Sequence, residues 1–334
     1  AMVSGAPAVD LPPVWRWSNP RPHGANVVDQ ATIGPLTVQV AERGQIFTSE
    51  EWDVWAPRDS HTTAALRGAT FFGGRLVLTG EAGTVLFADD PYRFYLLNLG
   101  TTNWLESVAA SSEVVVAVGD NAAIYFSTNA VTWERASTSF NHWLRSVACN
   151  GTTFVTVGEG GLIATSQNGA TWQRRNIATT TNLNRVAWLG DHFLAVGDGG
   201  LALTSPAGSS WTPVSLGATN DLFALAGVTN THLAAGNFEA RLSETNGPWR
   251  NQMATALAAP VPVWTYYSAL WNSGYYLLAG RSGLCVEGSK TNSTAATTWR
   301  PLADSVRTWL WSVMRTPSHY VAVGDYGTLL TSPN

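Results

Sequence analysis

Short apolar runs of five or six residues, interrupted at regular intervals by glycine, asparagine and serine, cover most of the chain. In Thr153 to Trp172, TFVTVGEGGLIATSQNGATW, apolar positions alternate with polar ones or run unbroken for the length of a strand, and the i, i+3, i+4 spacing of an amphipathic helix is absent. The breaks VGEGG, CNGTT and SQNGA supply the Gly and Asn that tight hairpins need for positive φ. The pattern around this segment predicts four antiparallel strands: His142 to Cys149, Thr153 to Gly158, Leu162 to Ser166 and Thr171 to Asn176.

The same pattern recurs along the chain. The small residue that closes each second strand falls at Ala41, Gly80, Gly119, Gly158, Gly197, Gly236, Gly280 and Gly324, with five steps of 39 residues followed by two of 44. That period is the length of a four-stranded propeller blade. A single blade cannot bury both its faces, so blades stack, and an array of them is soluble when its ends are capped or joined. The expected fold is therefore all-β: an eight-bladed β-propeller of four-stranded antiparallel blades, one domain spanning 1–334. Residues 1–13 read as a linker or added leader. The last repeat stops at Thr331-Ser332-Pro333-Asn334 where others enter a further strand, and Val14-Trp15-Arg16-Trp17 matches the missing piece. The strand at 14–18 is expected to complete the last blade and close the ring. Seven blades is the alternative, with one degenerate repeat, foremost the first, outside the circle.

Tryptophan follows the same period. Trp133, Trp172, Trp211, Trp249 and Trp299 open the fourth strand of their repeats, with Trp15 and Trp52 or Trp55 as equivalents. Recurrence at one strand position in many repeats is the signature of packing between blades. At this length roughly three quarters of the unfolded surface can be buried, so the fold needs no disulfide or metal. Cys149 and Cys285 both lie in apolar runs and read as free buried thiols.

A net charge of −4 leaves no basic face for nucleic acid. No run approaches the roughly 18 apolar residues of a membrane helix. No signal peptide opens the chain, but the Ala1-Met2 start is consistent with one having been removed.

The turns TSQNGATW (Thr165 to Trp172), TSPAGSSW (Thr204 to Trp211) and FSTNAVTW (Phe126 to Trp133) resemble the Asp-box repeat of bacterial neuraminidase-like propellers. AVGDGG at Ala195 to Gly200 and VAVGDYG at Val321 to Gly327 are similar to the repeats of photosystem II stability factors. The Asp-box aspartate is replaced here by Gln167, Asn168, Pro206, Thr128 and Asn129. The resemblance implies a propeller in a bacterial protein working outside the cytoplasm, extracellular or periplasmic. It implies no particular activity, because these turns lie away from the active face even in the enzymes.

In a propeller, the loops joining the second strand to the third, and the fourth to the next first, gather on one face around the central channel, the default binding surface. There the sequence places an acid in seven repeats: Glu42, Glu81, Asp120, Glu159, Asp198, Glu239 and Asp325, with Arg281 breaking the series. Converging carboxylates could bind Ca²⁺; no other cofactor is implied. The alternative is that each acid accepts hydrogen bonds from its own turn. On the same face the variable connections carry Trp104, Trp143, Trp264, Tyr267, Trp309 and Trp311, with Arg145 beside them. Aromatic faces there could stack on sugar rings, anchor a protein interface, or fill the channel.

No nucleophile and base are paired, and no metal-ligand spacing stands out. His192, His232 and His319 hold the equivalent turn of three repeats on the opposite face and read as too widely spread to share one metal. The expected function is a non-catalytic binding or scaffolding propeller, monomeric, recognising a glycan or a protein partner. Candidate ligand-binding residues are Trp104, Trp143, Arg145, Trp264, Tyr267, Trp309, Trp311, Asp120, Glu159, Asp198 and Asp325. The alternative is a polysaccharide-active hydrolase or lyase using carboxylates or a tyrosine on that face, since a ring of acids always contains pairs at glycosidase spacing.

Overall fold

In a computed structural model the chain is described over residues 25–52, 55–252, 265–289, 297–302, 310–315, 319–324 and 329–333. Four strands, here a to d, build each blade in simple up-and-down order. Their lengths follow the apolar runs. Blade 4, for example, has strands Leu144–Cys149, Phe154–Gly158, Ile163–Ser166 and Gln173–Arg175, each within two residues of the expected bounds. Strands a begin at Val27, Leu66, Leu105, Leu144, Leu183, Leu222 and Tyr266 in blades 1 to 7. They pack against one another around the ring, so they are the innermost strands.

Seven blades close the circle. Buried apolar residues divide into seven clusters among the described residues, one at each interface between neighbouring blades. The cluster that joins the ends sets Val27, Phe47, Trp52 and Trp55 of blade 1 against Leu277, Ala279, Cys285 and Leu302 of blade 7. Hydrogen bonds repeat the message. The Ser107 hydroxyl accepts from the Val147 N–H and that of Ser146 from the Val186 N–H, each 3.2 Å and each reaching the next blade. At the closure, Gln30 Nε2 donates to Ser268 Oγ at 3.1 Å.

The expected count of eight is therefore corrected to the seven-bladed alternative, and the repeat left over is the last, not the first. That repeat forms a separate three-stranded sheet, Leu310–Arg315, His319–Gly324 and Leu329–Pro333. Blade 1 already covers the face of blade 7 that an eighth blade would need. The segment expected to complete the last blade, 14–18, lies outside the described residues. No helix among the described residues is long and apolar enough to cross a membrane.

The periodic tryptophans pack between blades. Trp133, Trp172 and Trp211 lie in the clusters shared with the preceding blade, and their indole N–H groups donate to Ala130 O, Gly169 O and Gly208 O at 3.1, 2.8 and 2.9 Å. Trp55 donates to Trp52 O at 2.7 Å and is thus the equivalent in blade 1. A serine clasps each of these turns: Ser127, Ser166 and Ser205 accept from the N–H three residues on, at 2.9, 2.9 and 2.8 Å. In two of these turns Asn129 and Asn168 add a second clasp, their Oδ1 atoms accepting from the N–H groups two and three residues on. Neither cysteine is in a disulfide; Cys285 is buried, with Gln39 Nε2 donating to its Sγ at 3.4 Å, and Cys149 is half-buried.

Candidate functional site

Each strand a carries a bulge after its first residue, so that the second residue has no partner on strand b. A bulge re-aims the side chain it inserts. The residues so placed are Val28, Arg67, Glu106, Arg145, Asn184, Phe223 and Tyr267. The bulge is pinned from the b–c turn, whose first N–H donates to the carbonyl just before strand a, as in Asp120 to Trp104 and Glu159 to Trp143, at 3.2 and 2.9 Å.

In blades 2 to 5 these side chains join the loop tryptophans in one polar and aromatic patch. The Arg67 guanidinium lies over the Trp104 ring at 4.7 Å and that of Arg145 over Trp143 at 5.6 Å, distances at which cation and ring attract. Arg67 reaches Glu81 at 3.6 Å and Glu106 at 4.0 Å, and Arg145 donates to Asn184. Trp104 and Trp143 remain 37% and 39% exposed, enough to offer their faces to a ligand. Glu106 lies largely buried within the patch. Burial raises its pKa; Arg67, a hydrogen bond from Trp143 and Arg145 pull it back, and Asp120 pushes it up. Its Oε1 is buried without a hydrogen-bond partner, a cost that a ligand donor could relieve.

The acids of the b–c turns form clasps within their own blades. They accept from the connection entering strand a, where their own turn's N–H groups were the expected donors. Asp120 Oδ1 accepts from the Trp104 N–H at 2.9 Å and from Asn103 at 2.8 Å, and Glu81 from the Ala65 N–H at 3.3 Å. Asp198 accepts from Asn182 and Asn184 at 2.9 and 2.8 Å, and Glu42 from Asn26 at 2.8 Å. Glu239 pairs with Arg241 at 2.8 Å, and Glu159 is exposed. Among the described residues these carboxylates do not converge as a set that could hold one ion, so the Ca²⁺ reading finds no common ligand sphere there. A shallow depression lined by Thr181, Asp198, Gly199 and Pro213 adjoins the patch on this face.

The channel is bridged by charge where aromatic filling was the alternative. Arg185 of blade 5 reaches Asp29 of blade 1, three blades away round the ring, at 2.7 Å. Asp29 is buried and its other oxygen accepts the Ala69 N–H of blade 2 at 3.1 Å. Elsewhere this strand position holds Gly68, Ser107, Ser146, Ala224 or Ser268. The two charged exceptions were visible in the sequence as departures from a small-residue column.

Of the expected site residues, Trp104, Trp143 and Arg145 thus come together, with Asp120 beside Glu106 and Asp198 beside Asn184. Tyr267 lies on the far arc, its ring 6.2 Å from that of Phe223. Trp311 falls at the bulge of the separate three-stranded sheet. Trp264, Trp309 and Asp325 lie outside the described residues. Arg67 and Glu106 complete the patch; both occupy the bulge position, which no apolar periodicity marks.

On the opposite face one expectation is overturned. His192 and His232 are neighbours, their rings edge to face with centroids 5.0 Å apart. His192 stands just before strand b of blade 5, and His232 is the second residue of strand b, Thr231–Gly236, in blade 6.

The chain is a β-propeller of seven four-stranded blades. No family model matches it, and no curated protein does so. Solved structures do. A structure of YCF48 bound to D1 peptide superposes with a TM-score of 0.67 at 19% identity, over 86% of this chain and 100% of that one. A GH74 enzyme of Niastella koreensis gives 0.68 at 14% identity, over 92% of this chain and 59% of that one. The WD40 propeller domain of Doa1 gives 0.62 at 15%, over 82% and 96%. At these identities the likeness is one of fold.

Proposed function

We propose that this chain is a non-catalytic binding propeller that recognises a segment of a partner protein on the patch built from Trp104, Trp143, Arg67, Glu106 and Arg145. The observation that carries the reading is the pair of half-exposed tryptophans, each backed by an arginine, at the mouth of a bridged channel. Trp and Arg are the residues that contribute most to protein interfaces, because they bury large area with few rotors and offer directed donors. A partner fitting this chemistry presents an apolar side chain to the indoles and an acidic group to the guanidiniums, with a donor for Glu106. The peptide carried by YCF48 in its solved complex supports a peptide over a glycan as the ligand class. The asparagine-clasped turns support kinship with the Asp-box propellers, and with it an exported bacterial protein.

The enzymatic alternative has one observation in its favour: a carboxyl of raised pKa, Glu106, with Asp120 close by. A shallow site over a bridged channel supports it less, since a concave pocket is the default form of an active site.

The test is a random-peptide display selection run in parallel with a glycan array, on the wild-type chain and on Trp143→Ala and Arg145→Ala variants of normal circular dichroism. Enrichment of acidic-aromatic or acidic-aliphatic peptides that the variants fail to retain is the expected result. Glycan hits retained by wild type alone, with no peptide enrichment, would overturn the protein-partner reading in favour of sugar.

A further inference from the structure

The face opposite the patch carries a cluster that the binding reading does not use. The a–b turns of blades 5 and 6 press together: a Cβ placed on Gly190 would lie 2.5 Å from Thr229 Oγ1 and 2.8 Å from its backbone nitrogen. This contact brings Asp191 and His192 of one turn to His232 in the strand b that leaves the next. Each offers a ligand atom, and all three atoms lie within 4.8 Å of one another.

His232 is 5% exposed, and its Nε2 is buried with no hydrogen-bond partner. The backbone of Thr229 and Val228 lies beside the same ring. A buried ring nitrogen with no partner is open to a metal. His192 is half-buried, and its Nδ1 lies 2.6 Å from Asp191 Oδ1.

We propose that Asp191, His192 and His232 form a binding site for a divalent transition metal, zinc above all, with water completing the coordination. Two imidazoles and a carboxylate are a zinc donor set, and hard cations such as Ca²⁺ would prefer an all-oxygen one. Ligand atoms around a tetrahedral zinc stand about 3.3 Å apart, given metal–ligand distances of about 2.0–2.1 Å. The closure this requires falls to the Asp191 and His192 side chains at the tip of an exposed turn, while His232 stays fixed. The metal would satisfy the orphaned Nε2 and staple blade 5 to blade 6.

The experiment is equilibrium dialysis of the tag-free chain against Zn²⁺, with His192→Ala, Asp191→Asn and Cys149→Ser variants, the last because a half-buried thiol is a competing zinc ligand. Wild type and Cys149→Ser are expected to bind one Zn²⁺ per chain. His192→Ala, on a half-exposed residue whose loss leaves the blades packed, should bind at least tenfold more weakly, and Asp191→Asn about tenfold more weakly. Nitrogen-15 spectra of the imidazoles should show the His232 Nε2 resonance move on zinc addition. Failure of the wild type to bind Zn²⁺ at about 100 μM, or equal binding by His192→Ala and wild type, would overturn the assignment, as would a His232 resonance indifferent to zinc.

Discussion

Replacing Asp29 by serine tests whether the charge across the channel holds the ring together. Serine is the residue that blades 3, 4 and 7 use at this position, and its hydroxyl can still accept the Ala69 N–H that Asp29 Oδ2 accepts at 3.1 Å. What is lost is the partner of Arg185. Breaking a buried ion pair typically costs about 3–5 kcal/mol, because the surviving charge stays desolvated. The Asp29 side chain is only 4% exposed, but that of Arg185 is 20% exposed, so water partly re-solvates the guanidinium. The lower end, about 3 kcal/mol, is expected. Arg185→Ser strands the less exposed Asp29 and should cost more, toward about 5 kcal/mol, and the double variant less than the sum, since a pair removed whole leaves no stranded charge; a coupling of at least about 2 kcal/mol is expected. The assay is urea unfolding of the four proteins, followed by tryptophan fluorescence and far-UV circular dichroism, with equal m values as the check that the same surface unfolds. Single variants within about 0.5 kcal/mol of wild type, or strictly additive effects, would refute the reasoning.

Three further outcomes are expected. A chain ending after Leu302 should keep a cooperative ring with an unfolding midpoint near that of the full chain, because blade 7 closes on blade 1; aggregation or loss of cooperativity on heating would mean that the last repeat belongs to the ring. Gly169→Ala should cost about 2–4 kcal/mol, since φ is +73° and the new Cβ would lie 2.8 Å from Val116 Cγ2, whereas Gly199→Ala at φ +60° meets no neighbour and should cost only about 1 kcal/mol; equal costs in urea unfolding would count against the packing argument. For Glu106 the folded pKa is raised above the ordinary carboxyl value of 4.5, so the folded state holds its proton where the unfolded chain releases it. Its contribution to stability is therefore full below that value and declines as pH rises toward the folded pKa, and Glu106→Gln should remove this decline from the stability–pH profile; an unchanged profile would contradict it.

Most of the scaffold was legible because a repeat amplifies weak local signals: eight copies of the same strand and turn pattern fix blade length, strand order and the packing role of Trp133, Trp172 and Trp211. Ring closure was not legible, because nothing local distinguishes a seventh interface from an eighth; it depends on whether Trp52 and Trp55 meet Leu277 and Leu302 or another repeat. The site was legible where it departs from the repeat, as at Trp104, Trp143 and Arg145. Arg67 and Glu106 stayed outside the candidate ligand-binding set because a bulge, which no two-residue periodicity predicts, aims them at the channel mouth. The Asp29–Arg185 bridge joins positions 156 residues apart, and only their shared column of small residues hinted at it. His192 and His232 were misjudged for a simpler reason: the start of strand b in one blade packs beside the start of strand b in the next.

The most direct test of the binding account is amide hydrogen exchange of the chain alone and saturated with a peptide recovered by display. The account predicts added protection at Trp104 to Glu106, at the turn Asp120 to Ala122 and at Trp143 to Arg145, with the turn at Asp191 and the outer strands unchanged. Protection confined to the outer strands or to the opposite face would contradict it.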